Sequence, residues 1–274
     1  MTSLAPVARP SAWAEPGPLR RFVEDTLAVA DVEVRKVRHD PSELVTRAVQ
    51  PVLWLLIFGQ VLATRGGIDT GDVAYLAYLT PGVLAQSALF TSIFYGITII
   101  MERDLGVVAR YLVSPAPRSS LVLGRALAAG VRALSQAVAV IALALVLGVH
   151  LELDVPRLVA IAGVVVLGSA VFTLFSLTIA FMVKTRERVM GMGQLLTMPL
   201  FFASNAIYPI SSMPGWLQVI AAFNPLTYMV GALRSLMIAP EVDLLALAAD
   251  VGVLAACLAL FTLTTVRLFP RIVV

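Results

Sequence analysis

Cysteine occurs once in the 274 residues, at Cys257, so a disulfide framework is excluded. Lysine is nearly as scarce. Lys36 and Lys184 are the only two, and neither follows the G-x-x-x-x-G spacing whose backbone cradles a nucleotide's phosphates, so the chain is not expected to hydrolyse ATP and has no catalytic candidates. His39 and His150 have no Cys or His companions at ligand spacing, which argues against a metal site. Charge is thin throughout, at 14%. The segments read below as spans one to five hold no Asp or Glu, whereas an ion-coupled secondary transporter needs buried carboxylates near the midplane. Aromatic residues, at 8%, are few for the continuous stacking channel of a polysaccharide exporter, although that reading stays open. Residues 1–18 are rich in Pro and Ala, carry one Arg and lack an unbroken apolar core, so they read as a retained, disordered leader and not as a signal peptide.

What is present is apolar. Hydrophobic residues make up 59% of the chain, against about 45–50% in soluble domains, which marks an all-α integral membrane protein. Runs near the roughly 20 residues needed to cross a bilayer fall at 45–63, 73–100, 121–149, 157–183, 190–208 and 244–266, giving six expected transmembrane helices. Barrel strands would alternate over about ten residues, and these runs are continuous. Seventeen of the twenty Lys and Arg fall at the termini, in 101–132 and in 184–188, and only Arg65, Arg157 and Arg234 fall in the alternate loops. By the positive-inside rule both termini and the 101–118 loop are cytoplasmic. The net charge of +3 then reflects topology and anionic headgroups and calls for no nucleic acid.

Before the first span, Val23, Leu27, Ala30, Val34 and Val37 recur at helical spacing opposite a charged face, and Pro41 closes the segment. Residues 19–43 therefore read as a helix lying in the headgroup zone, ahead of a transmembrane domain at 44–274. A soluble helix packed on a partner would show the same stripe. Between spans five and six, Pro209, Pro214, Pro225 and Pro240 cut the apolar text into pieces. Residues 215–223 and 226–238 would make helices of about 14 Å and 20 Å, too short for about 30 Å of hydrocarbon, so a re-entrant helical hairpin on the outer side is expected. Among intramembrane polar residues, Arg132 is expected to snorkel toward the inner headgroups and Asp250 to be solvated near the outer interface. Pro81-Gly82 and Pro199 weaken their helices locally and are candidate hinges.

Three spaced signatures stand out: E-R-D-x-G-x-x-x-R-x-L-V-S-P at Glu102 to Pro115, L-x-L-G-R at Leu121 to Arg125, and Y-P-x-x-x-M-P-G-W-L-Q-x-x-x-x-x-N-P-L-T-Y at Tyr208 to Tyr228. Together they resemble the type-2 permeases of bacterial ATP-binding-cassette exporters, in particular the daunorubicin-resistance branch, over about residues 20 to 266. The resemblance implies the membrane subunit of an ATP-driven exporter for an amphipathic or hydrophobic drug or lipid in the bacterial inner membrane. It implies six helices per subunit, pairing with a second permease, identical or sister, and two copies of an ABC ATPase that binds ATP and Mg, with no cofactor in this chain. The charged loop after span two would couple to that ATPase through Glu102, Arg103, Asp104, Gly106, Arg110 and Pro115, although any cytoplasmic loop collects charge. Spans two and five form the central pair of such permeases, which makes Gln86, Phe90, Phe94, Tyr95, Thr197, Met198, Phe201, Phe202 and Asn205 candidates for a translocation surface. The hairpin residues Pro209, Met213, Pro214, Trp216, Leu217, Asn224 and Pro225 would form an outer gate, because a short amphipathic helix must bury its apolar side against the bundle or its twin.

Overall fold

The computed structural model describes residues 20, 22–28, 31, 35, 49–59, 61, 73–108, 117–183 and 185–269. Among them all regular structure is helical. The elements are α1 (Val49–Gly59), α2 (Tyr75–Asp104), α3 (Arg118–Val146), α4 (Val155–Met182), α5 (Arg186–Phe202), α6 (Gly215–Phe223), α7 (Pro225–Met237) and α8 (Leu244–Leu268). The second half of α1, Trp54–Gly59, is wound as a π-helix. A further helical stretch covers 22–28. There Arg20 pairs with Glu24 and Arg35 with Asp31 at i,i+4, Val23 and Leu27 stay exposed, and Ser120 at the start of α3 donates to the Phe22 carbonyl. The rest of the expected interfacial helix and the whole 1–18 leader lie outside the described residues.

Four helices, α2, α3, α4 and α8, are long and apolar enough to cross a membrane, or five if the bent pair α6–α7 counts as one span. The chain is thus built as a multi-pass membrane protein. Its first and fifth expected spans appear as short helices: α1 is described over Val49–Gly59, and α5 has 17 residues.

Helix ends are set by local chemistry. Asp154 accepts from the Arg157 amide and Asp243 from the Leu245 and Ala246 amides, each satisfying donors that the first turn leaves unpaired. Both α4 and α7 carry a proline in the first turn, where the missing N–H costs nothing. At the end of α3, Gly148 adopts φ 78°, the Val149 amide returns to the Ala144 carbonyl and the Gly148 amide to Leu145, so a left-handed glycine closes the helix. The two short helices follow the proline punctuation: α6 has nine residues, α7 thirteen, and they meet at 83°.

The core centres on α2 and α4. One cluster gathers Leu79, Val83, Leu89, Phe172, Phe201 and Met229, and a second, nearer the Asp104 end of α2, gathers Ile97, Ile100, Val122, Leu174, Leu177 and Phe181. In hydrocarbon there is little hydrophobic drive to join helices, so small residues and hydroxyls do the joining. Ser176 donates to the Ile93 carbonyl at 2.7 Å, and Thr178 and Thr265 share a hydrogen bond at 2.9 Å between α4 and α8.

Among the described glycines the tightest approach is at Gly82, where a β-carbon would stand 2.2 Å from the Ala206 carbonyl oxygen. Backbone cannot swing aside as a side chain does, so Gly82→Ala is expected to cost about 1–3 kcal/mol by overpacking. Gly163→Ala, whose β-carbon meets nothing within 4 Å, is the control and should be neutral or stabilising through helix propensity. Thermal unfolding of both variants in detergent checks this, and equal midpoints would show that α2 does not need the close contact.

Candidate functional site

At the Asp104 end of α2 the sequence M-E-R-D-L-G resolves into an inward and an outward part. Glu102 turns back between helices and pairs with Arg125 of α3, both side chains being largely buried at 15% and 5% exposed. It is therefore a clamp between α2 and α3 and does not belong to the exposed tip. Arg103 reaches its neighbour Asp104 at 2.8 Å. The helix then stops: Leu105 caps on the Met101 carbonyl, and Gly106 donates to Arg103 with φ 73°, a left-handed conformation that glycine adopts without steric cost. Val108 is buried with Ile100 and Val122, which leaves Arg103, Asp104, Leu105 and Gly106 as a projecting tip. Leu105, 78% exposed, is a tip residue that sequence reasoning passed over, since one leucine in an apolar chain carries no signal. Arg110 and Pro115 lie outside the described residues.

The nine candidates for a translocation surface separate into several environments. Gln86, Phe90 and Phe94 recur every four residues on one face of α2 and line a cavity of about 300 Å³ with Ser87, Thr91 and, from α1, Gln50 and Pro51. The Phe90 and Phe94 rings stack with centroids 6.2 Å apart. Tyr95 is rotated away, and Arg132 of α3 sets its guanidinium 4.4 Å above the Tyr95 ring. Arg132 is only 8% exposed and so turns inward toward α2, contrary to the snorkelling expected of it; the Tyr95 ring face receives its guanidinium inside the bundle. On α5, Thr197 is buried and donates to the Gly193 carbonyl, and Phe201 is buried edge-on against Trp54 of α1. Met198 and Phe202 lie on the exposed side of that helix. Asn205 contributes its carbonyl to Arg234 at 2.7 Å.

The hairpin is fastened by Asn224. Its carbonyl oxygen caps α7 through the Leu226 amide, while its amide nitrogen donates to the carbonyls of Leu200 at 2.6 Å and Ala203 at 2.8 Å. Those acceptors sit at the C-terminal end of α5, so one buried side chain both starts α7 and finishes α5. Pro209 opens a short 3-10 turn at Ile210–Ser212, Pro214 precedes α6, Pro225 opens α7, and Met213 is buried. The gate candidate Trp216 is 67% exposed and shares an apolar stripe with Val219, Ile220 and Phe223, all exposed, while Leu217 is half-buried. Only Ala221 of α6 is buried, so the stripe is not packed into the bundle of described residues.

Arg234 escaped the sequence reading, which counted it only as an outer-loop charge. It stands over the Tyr78 ring at 3.7 Å and donates to the Asn205 carbonyl, joining α7 to α2 and to the turn after α5. The available signal was a lone Arg in the apolar V-G-A-L-R-S-L-M run. Removing it as Arg234→Gln is expected to loosen the hairpin by about 2 kcal/mol, from one desolvated cation–π contact and one charged hydrogen bond. Faster hydrogen exchange in α7 with an unchanged α8 would show it; uniform exchange would not. Asp250, expected at a solvated interface, is half-buried on α8 against α7, its carboxylate 2.6 Å from where a Gly231 β-carbon would stand.

The ABC-2 type transporter family model matches residues 24–238. Among similar proteins, the probable doxorubicin resistance ABC transporter permease protein DrrC of Mycobacterium tuberculosis is 27% identical over 243 residues, covering 86% of this chain and 87% of the relative. The daunorubicin resistance ABC transporter permease protein DrrB1 of Streptomyces coeruleorubidus is 27% identical over 201 residues, 73% of this chain and 70% of the relative. The putative transport permease ycf38 of Cyanophora paradoxa is 28% identical over 217 residues, 78% and 74% respectively. With the matched region running from the first helical stretch through the hairpin, the chain belongs to the ABC-2 type transporter family and is a membrane permease subunit of an ABC exporter, a class that works with ABC ATPase partners.

Proposed function

We propose that this permease exports an amphipathic or hydrophobic compound, a drug-like molecule or a lipid, from the cytoplasm across the bacterial inner membrane. In this reading the chain spans the membrane six times, with both termini and the Arg103–Gly106 tip on the cytoplasmic side; α1 and α5 supply the two shorter crossings, and α6–α7 returns to the side it came from. Residues 1–18 are a leader, 19–43 lie in the headgroup zone and 44–274 form the transmembrane domain. Two permease chains, identical or sister, meet two ATPase subunits that bind ATP and Mg; this chain supplies no nucleotide site and no catalytic group.

The single observation that carries the reading is the cavity beside α2, lined by the stacked Phe90 and Phe94 rings with Gln50, Gln86, Ser87 and Thr91, with no charged residue among the described lining residues. Such a wall accepts apolar bulk with a few polar groups and suits neither a long sugar chain nor an ion. The relatives named for doxorubicin and daunorubicin resistance point the same way. The test is ATP-dependent accumulation of a fluorescent amphipath in inverted vesicles holding the permease with its ATPase. Uptake that persists without the ATPase but collapses with a proton ionophore would point to secondary transport instead, and no uptake of any amphipath would sink the reading.

A further inference from the structure

Arg234 is held at one terminal nitrogen only. Its Nη2 donates to the Asn205 carbonyl at 2.7 Å and toward the Tyr78 carbonyl at 3.4 Å, while Nε is enclosed and has no partner. Nη1 has no partner either, but it is not enclosed, and Arg234 is partly exposed where it lines a cavity of about 400 Å³ beside the end of α7. Ser235 lines the same cavity with a hydroxyl that is also accessible and unused. So do two acids. Glu241 is exposed and pairs with nothing, and Asp243 caps α8 through Oδ1, which leaves its second oxygen over. Arg157 does not neutralise them, because its guanidinium is spent on the Ala239 and Pro240 carbonyls and on Asp154.

A free cationic nitrogen and free carboxylates in one cavity decide the class of ligand. A simple anion would meet Glu241 and Asp243, and a simple cation would meet Arg234; like charges about 4 Å apart cost about 4 kcal/mol near a protein surface. A molecule carrying both signs satisfies both. Its apolar part also has a place, since a second cavity of about 330 Å³ shares Val73 and Ile238 with the first. That one is walled mainly by Leu76, Ala77, Leu147 and Val149, with His150 the one ionisable side chain among its described lining residues. Polar and apolar sites side by side suit a lipid better than a soluble zwitterion.

We propose that the two cavities together bind an aminophospholipid, whose headgroup carries a phosphate and a primary ammonium. The phosphate takes Arg234 Nη1 and the Ser235 hydroxyl, the ammonium takes Glu241 and Asp243, and an acyl chain lies along Leu76, Ala77 and Leu147. A primary ammonium brings three N–H donors to a carboxylate, whereas a trimethylammonium keeps the charge and brings none, so the site distinguishes the two. Both cavities lie where α7 ends and α2 and α8 begin, which is the outer side in the six-span topology. Assignment to the outer leaflet rests on that topology; the binding does not.

The experiment uses the full permease–ATPase complex in detergent, without nucleotide, and radiolabelled dioctanoylphosphatidylethanolamine. Competitors are the unlabelled lipid, its choline and glycerol counterparts with the same chains, and free phosphoethanolamine. The ethanolamine lipid is expected to compete at least about tenfold better than the choline or the glycerol lipid, the equivalent of one charge-assisted hydrogen bond. Glu241→Gln should weaken its binding about tenfold, leave the glycerol lipid no weaker, and keep the ligand-free thermal midpoint, because the native carboxylate holds no partner. Glu241→Lys should reverse the preference toward the glycerol lipid. Arg234 is left intact in these variants because it also fastens the hairpin. Equal competition by the three lipids overturns the proposal, as does an undiminished preference for the ethanolamine lipid in Glu241→Gln or Glu241→Lys. Free phosphoethanolamine competing as well as the lipid overturns it too, since the ligand would then be a soluble phosphoester and the apolar cavity would play no part. Should either variant fail to fold, the four competitors on the wild-type complex still decide. If the lipid binds as expected but no amphipath is moved in the vesicle assay, the export reading fails and the lipid site stands.

Discussion

Glu102→Ala is expected to destabilise the permease by about 3–5 kcal/mol, because it leaves the Arg125 guanidinium buried between α2 and α3 without its carboxylate. Removing one partner of a buried pair exposes the full desolvation cost of the other, which is much larger than the net worth of the pair itself. The double change Glu102→Leu with Arg125→Leu should therefore recover most of the loss, since a buried pair exchanged for apolar side chains is often neutral. Unfolding midpoints in detergent for the single and double variants give the measurement. If the single variant melts with the wild type, the two side chains are solvated and the clamp does not exist. The double variant then asks a functional question: stability returns, but α2 and α3 are no longer tied at the end where a partner would push. Slower export at normal ATPase binding is the expected outcome.

How much of this was legible in the sequence depended on how locally each feature is determined. The helices α2, α3, α4 and α8 follow from continuous apolar runs, with ends displaced by a few residues. Proline placement gave the two short helices, α6 over the nine residues foreseen and α7 one residue earlier than foreseen, because Pro225 itself occupies the first turn. The end of α5 was not legible. The apolar text continues to residue 208, but the helix stops at Phe202, where Asn224 from 20 or so positions onward takes the Leu200 and Ala203 carbonyls. Arg132 failed for a similar reason: its Tyr95 partner lies on another helix, and nothing along the chain announces the meeting. Tyr95 itself was grouped with Gln86, Phe90 and Phe94, yet one residue is about 100° of rotation on a helix, enough to carry it off the cavity face and onto α3. Glu102 and Arg125 were both visible, in two separate signatures. What could not be read was that the two signatures meet, which converts a presumed docking carboxylate into an internal tie.

Among the described residues of the 101–118 segment, the tip is the part left to face a partner, and Gly106 allows it to be tested without disturbing the bundle. Its β-carbon position is open, with nothing within 4 Å, so a β-carbon added there meets no described part of the permease. Its φ of 73° is the one obstacle, costing an L-residue about 1–2 kcal/mol whatever the side chain. Gly106→Ala and Gly106→Arg share that backbone cost and differ only in what projects outward. If the tip is a connector in solvent, the two variants must behave alike. If an ATPase subunit closes over Arg103, Asp104, Leu105 and Gly106, the long cationic side chain of Gly106→Arg has to be accommodated in a packed interface, where an unpaired charge is expensive. The expected result is that both variants insert and unfold at similar temperatures, that Gly106→Ala still co-purifies with its ATPase and exports, and that Gly106→Arg loses co-purification or substrate-stimulated hydrolysis by about tenfold or more. Gly106→Asn, a residue that tolerates the left-handed region, separates strain from bulk: it should match or exceed Ala in stability and keep export. Arg and Ala variants that bind the ATPase and export equally would remove the tip from the coupling path and leave the Glu102–Arg125 tie as a purely structural device.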